Sequence, residues 1–174
     1  MLPAVSDAGP LIHLAQVNRL HLLERLFGKI AIVLLVGHEV VDEGMRLGYP
    51  DAILVKDALV NRRITVVTPS SDLVRRATKL AKREKLSLSD SETLLLAKRL
   101  SQPLLTDERL LSVLARMYGI EVWNTWTVLL EALRVRLMEK TEIHAAITEL
   151  GEKRHKLSSG QIKEIVDSAN RLAS

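Results

Sequence analysis

Short apolar runs alternate along most of the chain with longer stretches of helical period, and this alternation strongly limits the folds available to it. Five runs have strand character, at residues 4–6, 30–34, 64–67, 103–105 and 120–122. Between them, apolar residues recur three or four positions apart, as they do on one face of a helix. Because strands that alternate with helices pair in parallel, the pattern predicts an α/β fold. We expect three layers, with helices flanking a central, mainly parallel sheet of about 4–5 strands.

The chain becomes wholly helical after residue 124. The pattern there predicts helices over residues 127–137, 142–150 and 161–172, with breaks at Gly151 and at residues 158–160. A length of 174 residues suits one domain, so we expect a main unit over 1–137 and a C-terminal helical extension of the same domain over 138–174. The sequence leaves open whether this extension completes the fold, forms a dimer contact or binds a partner.

The composition excludes several classes of site. The chain has no cysteine, which excludes disulfide frameworks, thiolate zinc sites, iron–sulfur clusters and cysteine nucleophiles. Its longest apolar stretch, residues 30–36, is too short to cross a bilayer, and no targeting segment is visible, so we expect a cytoplasmic protein without membrane contact. His13 and the other histidines show no metal-ligand spacing and are interpreted as surface or core-edge residues.

Acidic residues follow the ends of two predicted strands. Asp7 comes directly after the first strand, and Asp107, with Glu108 beside it, follows the fourth. Because the carboxyl ends of parallel strands meet at one edge of the sheet, we expect Asp7 and Asp107 to be neighbours.

Further acids are expected at or near the same edge. Asp90 and Glu92 open a later helix, and Glu43 lies on the helix after the second strand. Each acid alone also has a structural explanation, since acids complement a helix dipole and Ser89 with Glu92 has the spacing of a capping box. As a set, these carboxylates would repel one another without a cation. Ligands that are all oxygen favour Mg²⁺ or Mn²⁺, which can orient a phosphodiester and activate water.

The net charge of +4 comes from one part of the chain. Residues 72–100 hold eight basic and four acidic side chains, whereas the chain on either side is balanced. This segment either faces a polyanion such as RNA or forms the solvated face of an amphipathic helix. The candidate RNA-binding residues on it are Arg75, Arg76, Lys79, Lys82 and Arg83.

Four acidic motifs in order resemble those of the PIN-domain family, a compact α/β fold of metal-dependent ribonucleases that includes VapC-like toxins. The motifs are VSDAGPLI at 5–12, VVDE at 40–43, LSDSETLLLA at 88–97 and LLTDER at 104–109. The likeness continues through IEVWNT at 120–125 into the C-terminal helices, and is closest to a small prokaryotic subgroup. Each motif is weak alone, but the four together make a specific signal.

The resemblance implies a Mg²⁺- or Mn²⁺-dependent endoribonuclease, with 1–137 as the PIN-like catalytic part. Asp7, Glu43, Glu92 and Asp107 would be its catalytic acids and metal ligands, and Asp90 and Glu108 are neighbouring acids that could replace them. The resemblance also implies a homodimer and, for the toxin of a type II toxin–antitoxin pair, a cognate antitoxin protein.

Two other functions stay open at this point. One is a catalytically inactive PIN-like module that binds RNA or protein. The other is a metal-dependent nuclease or phosphatase that acts on a different phosphate ester, since the same carboxylate chemistry serves both.

Overall fold

The computed structural model describes residues 3–153 and 159–172 and contains a five-stranded sheet in which all pairs are parallel. The strands are β1 (Ala4–Ser6), β2 (Ile30–Val33), β3 (Ile64–Val67), β4 (Leu104–Leu105) and β5 (Val122–Trp123). Their order across the sheet is β3-β2-β1-β4-β5, so the winding direction reverses between β1 and β4. The predicted parallel α/β fold is confirmed.

Helices make every connection between the strands. α1 (Ala8–Gln16) and α2 (His21–Phe27) follow β1. After β2 come α3 (Leu34–Gly37), a π-helical segment (His38–Glu43), α4 (Gly44–Arg46) and α5 (Pro50–Val60). α6 (Ser71–Glu84) and α7 (Leu88–Leu100) lie between β3 and β4, and α8 (Arg109–Met117) leads to β5. The C-terminal helices are α9 (Thr125–Arg134), α10 (Lys140–Lys153) and α11 (Ser159–Leu172).

The core is built on the central strands. Every residue of β1 and β4 is buried, as expected for parallel strands that are covered on both faces. α7 packs against β1, β2 and β4. Met138, Ile143 and Ala169 from the C-terminal segment belong to the same buried cluster as the strands. The boundary between residues 137 and 138 stays a prediction.

The predicted break at Gly151 is wrong, and two of the three residues predicted to form the second break, Ser159 and Gly160, lie in a helix instead. Gly151 lies within α10 and Gly160 within α11, whereas Ser158 lies outside the described residues. Glycine in a helix costs about 1 kcal/mol relative to alanine. A Cβ atom at Gly151 would lie 4.0 Å from Ile162 Cδ1, an ordinary contact distance, so the packing of α11 on α10 does not itself require glycine at this position.

The cap of α7 also differs from the predicted capping box. Ser87, not Ser89, precedes the helix, and its Oγ accepts a hydrogen bond from the backbone N–H of Asp90 at 2.9 Å. Glu92 is therefore one turn inside the helix and plays no part in its cap.

Gly44 gives a direct test of the packing between α4 and α5. A Cβ atom at Gly44 would lie 2.7 Å from Ala52 Cβ, so α5 would have to shift. We expect Gly44→Ala to lower the free energy of unfolding by about 1–3 kcal/mol in urea denaturation, the usual cost of overpacking. Gly37→Ala is the matched control, since its Cβ would meet Val66 at an ordinary 3.7 Å. An equal loss in both variants would contradict this packing.

Candidate active site

Asp7 is a buried carboxylate at the carboxyl end of β1. As the N-cap of α1, its Oδ1 accepts a hydrogen bond from the backbone N–H of Gly9 at 3.0 Å, and its Oδ2 accepts one from the Thr106 hydroxyl. Only 3% of the residue is exposed. Burial raises the pKa of Asp7 well above its usual value, and the charges of Asp107 and Asp90 raise it further, against the opposing hydrogen bonds.

Asp107 lies beside Asp7, as the positions of the two strand ends predict. β1 and β4 are neighbours in the sheet, and Gly9 lies against both carboxylates. A Cβ atom at Gly9 would be 3.3 Å from Asp107 Oδ2 and 3.5 Å from Asp7 Oδ1. A residue without a side chain therefore leaves the room that this pair of acids needs.

Asp107 has a very different environment from Asp7. Thr125 donates twice to it, from its backbone N–H to Oδ1 at 2.8 Å and from its hydroxyl to Oδ2 at 2.6 Å. His13 Nδ1 lies 2.7 Å from the same Oδ2. Burial alone would raise the pKa of Asp107, but the hydrogen bonds from His13 and Thr125 outweigh burial and hold the pKa below its usual value. Adjacent carboxyl groups with pKa values shifted in opposite directions are typical of acid–base sites.

His13 is a site residue that the sequence interpretation missed, since its contact with Asp107 places it at the acids rather than in an unrelated surface position. Its side chain is 18% exposed. One signal was available in the sequence: His13 lies four residues after Gly9 on α1, and residues four apart share a helix face. The absence of a metal-ligand spacing around His13 gave no indication of this contact.

Asp90 and Glu92 on α7 have different surroundings. The charge of Asp90 raises the pKa values of both Asp7 and Glu39, so Asp90 lies near these acids. Glu92 is 4% exposed, and burial is the cause of its raised pKa, with no contribution from any acid in the described part of the chain. Residues two apart on a helix project about 200° apart, so the two acids face different sides.

Glu39 is a second residue that the sequence interpretation did not select. Partial burial raises the pKa of Glu39, and the charges of Asp90, Glu43 and Glu108 raise it further. Glu39 and Glu43 both lie in the π-helical segment, a rare conformation that is often found at functional sites. Glu39 thus links the exposed Glu43 to the acids at the strand ends. We refer to Asp7, Glu39, Glu43, Asp90, Asp107 and Glu108 as the acidic edge.

A cleft of about 610 Å³ opens beside part of the acidic edge. Glu39 and Glu43 line one wall, and Ile12 of α1 and Tyr49 before α5 contribute to the others. Asp7 and Asp107 lie outside this lining. The cleft therefore adjoins the part of the acidic edge formed by Glu39 and Glu43, and it is large enough to admit part of a chain-like substrate.

The acidic edge fits a divalent cation by its chemistry. Within residues 3–153 and 159–172, no three acidic or histidine side chains form a ready metal-binding cluster. All six side chains of the edge nevertheless end in carboxylates, the ligand type that Mg²⁺ and Mn²⁺ prefer. A carboxylate has about four acceptor positions, and hydrogen bonds engage Asp7 twice and Asp107 three times. Both therefore keep acceptor positions for a cation, which would also relieve their repulsion.

The candidate RNA-binding residues of the basic segment lie on the exposed side of α6. Arg75, Arg76, Lys79, Lys82 and Arg83 are all exposed there. Asp72 accepts from Arg75 at 2.6 Å and lies 3.8 Å from Arg76. Such exposed pairs contribute little to stability, so these cations stay accessible to a polyanion.

A family model described as PIN domain matches residues 3–171 of the chain, and the match includes every residue of the acidic edge. Comparison with curated proteins finds no match. In the ranges that the structure covers, no helix combines the length and the apolar character needed to cross a membrane.

The buried charge of Asp7 predicts a pH-dependent gain from its removal. Because the raised pKa means that the folded state binds the Asp7 proton more tightly than the unfolded chain does, stability falls as the pH rises between the two pKa values. We expect Asp7→Asn to increase the free energy of unfolding at pH 7 in EDTA, and the gain to vanish as the pH falls toward the usual range of aspartate. Urea denaturation across this pH range measures it.

Asp42→Asn is the matched control, because the side chain of Asp42 is 65% exposed and, among the residues that the structure describes, its ion pair is with His38. Its effect should stay within about 0.5 kcal/mol at pH 7. If Asp7→Asn destabilised the protein at pH 7 and the loss did not depend on pH, the unfavourable burial of this charge would be disproved.

Proposed function

The chain belongs to the PIN-domain family, whose members are generally nucleases, and we propose that it is a metal-dependent endoribonuclease that hydrolyses RNA phosphodiester bonds. The observation that supports this proposal most is that two acids with opposite pKa shifts, Asp7 and Asp107, lie side by side, since a Cβ atom built on Gly9 would be within 3.5 Å of both carboxylates. PIN domains usually bind divalent metal ions, and the acidic edge supplies suitable ligands for one.

We propose Asp7, Asp107 and Asp90 as the residues that hold Mg²⁺ or Mn²⁺, with Glu43 and Glu108 nearby. Asp90 is preferred to Glu92 on α7 because its charge acts on Asp7, whereas the pKa of Glu92 responds to burial alone. When bound, the cation would orient the phosphodiester, stabilise developing charge and promote ionisation of water. Glu39, whose pKa is raised by the charges of three other acids of the acidic edge, extends the set suggested by the motifs.

The protein's own residues prepare the two central acids differently. His13 and Thr125 keep Asp107 ionised and fix its orientation through three hydrogen bonds. Asp7, whose pKa is raised by burial, retains a proton more readily until a positive charge is present. Cation binding and the ionisation of Asp7 are therefore coupled, and affinity for the cation should rise with pH.

RNA contact is assigned in this proposal to the exposed cations of α6, Arg75, Arg76, Lys79, Lys82 and Arg83. Their positive charge suits backbone phosphates, whereas the acidic edge repels them. The cleft beside Glu39 and Glu43 offers room for nucleotides next to the cleaved bond.

We further propose that the protein forms a homodimer and acts in the cytoplasm as the toxin of a type II pair, restrained by an antitoxin protein. The likeness to VapC-like members supports these roles. Leu110, Val113 and Met117 provide an exposed apolar face on α8, and Met117 is 77% exposed. Apolar patches of this kind are common at protein contacts.

A second candidate is a PIN-like module that binds RNA or protein without cleaving it. Hydrogen bonds already satisfy part of the acceptor capacity of Asp7 and Asp107. Buried carboxylates need such partners when no cation is bound, so these hydrogen bonds are also what a domain without a metal ion would require. A nuclease acting on DNA or a phosphatase is a third candidate, and competition between substrates distinguishes it from a ribonuclease.

Cleavage of a structured RNA in Mg²⁺ or Mn²⁺ tests the proposal. We expect cleavage by the wild-type protein to disappear in EDTA, and Asp7→Asn to slow it by about 10²-fold or more, the scale of losing an essential catalytic group. Asp90→Asn should be more damaging than Glu92→Gln, and Asp42→Asn should retain the wild-type rate.

Several results would contradict it. Full activity of Asp7→Asn would exclude Asp7 from the site, and equal activity in EDTA would exclude a metal-dependent reaction. Binding of RNA by folded protein without any cleavage would favour the second candidate. Faster hydrolysis of DNA or of a small phosphate monoester would favour the third.

A further inference from the structure

Two cations of the basic segment at residues 72–100 lie on α7 rather than on α6. Lys98 and Arg99 occupy the last turn of α7, and the function proposed above assigns them no role. Basic residues in a last turn complement the helix dipole, so this position alone does not indicate a ligand. Their surroundings, described next, provide the evidence for one.

A groove brings cations of α6 and α7 together. It has a volume of about 490 Å³ and is lined by Arg76 of α6 and by Lys98 and Arg99 of α7. The acidic residue in this lining, Asp72, pairs with Arg75 at 2.6 Å and lies 3.8 Å from Arg76, so it offsets only part of the positive charge. Arg99 makes no ion pair with any residue that the structure describes. The groove therefore carries an excess of positive charge.

Tyr118, directly after α8, connects this groove to a second part of α6. Lys98 Nζ lies 4.3 Å from the centroid of the Tyr118 ring, within the range of a cation–π contact. Arg83 donates a hydrogen bond to the Tyr118 hydroxyl at 3.2 Å and also pairs with Glu84. One aromatic side chain thus positions a cation of α6 and a cation of α7 on the same surface.

Helical register adds a further cation to this surface. Arg76, Lys79 and Arg83 are three, four and seven residues apart and share one face of α6. Arg76 lines the groove and Arg83 reaches Tyr118, so this face is turned toward α7 and α8. We define the cationic surface as Arg76, Lys79, Arg83, Lys98 and Arg99.

We propose that the cationic surface is a phosphate-binding site for RNA, separate from the acidic edge, and that Lys98 and Arg99 are part of it. The inference rests on the proposed ribonuclease function and deepens it. Arginine guanidinium groups and lysine ammonium groups suit backbone phosphates. Lys98 covers the Tyr118 ring, which leaves that face unsuited to base stacking. The surface therefore supplies affinity that does not depend on sequence.

The length of α7 sets the distance between the cationic surface and the acidic edge. Asp90 and Lys98 lie eight residues apart on one helix, which corresponds to about 12 Å along its axis at about 1.5 Å per residue. At about 3.4 Å per nucleotide, this distance equals three to four nucleotides. An RNA of about 15 nucleotides can contact both regions, whereas a dinucleotide bound at the acidic edge falls short of the cationic surface.

Binding measurements in EDTA test the surface independently of cleavage. Fluorescence anisotropy of an unstructured RNA of about 15 nucleotides, at several salt concentrations, gives the affinity and its salt dependence. We expect the double variant Lys98→Gln, Arg99→Gln to bind about tenfold more weakly, with a slope of log affinity against log salt that is shallower by about 1.4, or about 0.7 per lost phosphate contact. A dinucleotide should show no such difference.

The matched control is the double variant Arg25→Gln, Lys56→Gln, which removes the same charge from exposed positions on α2 and α5. It should keep the wild-type slope. Arg99→Gln alone serves if the first double variant unfolds, because Arg99 makes no ion pair with the described residues.

Unchanged RNA binding in the Lys98, Arg99 variant, or an equal loss in the control, would overturn the proposal. Anionic phosphatidylserine vesicles carry phosphate groups too, and they serve as a second probe in the same assay. If the Lys98, Arg99 variant lost binding to these vesicles but kept its affinity for RNA, the proposal would also be overturned. These results would leave the proposed function standing, because metal-dependent cleavage by the wild-type protein is measured separately.

Discussion

The buried carboxylate of Asp7 is the constraint on which the rest of the site depends. Parallel pairing of β1 with β4 places Asp107 next to it, and Gly9 leaves room for both side chains. Folding therefore puts negative charge where water is largely excluded, and the pKa of Asp7 rises in response. Such an arrangement costs stability unless a positive charge compensates it. The need for compensation connects the sheet topology to the chemistry proposed for this edge.

The acids around Asp7 are not equivalent. Thr125 and His13 stabilise the charge of Asp107, whereas Asp7 faces the charges of Asp107 and Asp90. The helix that carries Asp90 has Lys98 and Arg99 in its last turn, so α7 joins the proposed cation-binding region to the proposed phosphate-binding surface. Because the acidic edge and the cationic surface are separated along one helix, the cations could hold a polyanion without neutralising the carboxylates that would act on it.

The sequence predicts those parts of the site that follow from backbone topology. Asp7 and Asp107 come directly after strands, and parallel pairing makes them neighbours whatever their side chains do. His13 and Glu39 depend instead on which way a helix face is turned and on how far a side chain reaches. The π-helical segment that carries Glu39 has no distinct sequence pattern. The N-cap of α7 is likewise Ser87 rather than Ser89, and on this helix the charge of Asp90, not that of Glu92, raises the pKa of Asp7.

Thermal unfolding at pH 7 with and without Mn²⁺, for the wild-type protein and for Asp7→Asn, tests most directly whether Asp7 needs a cation. A ligand that binds the folded state adds about 2.7 kcal/mol of stability at a hundredfold excess over its Kd. The account predicts that Mn²⁺ raises the unfolding midpoint of the wild-type protein and raises that of Asp7→Asn far less. An equal increase in both proteins, or none in the wild type, would contradict it.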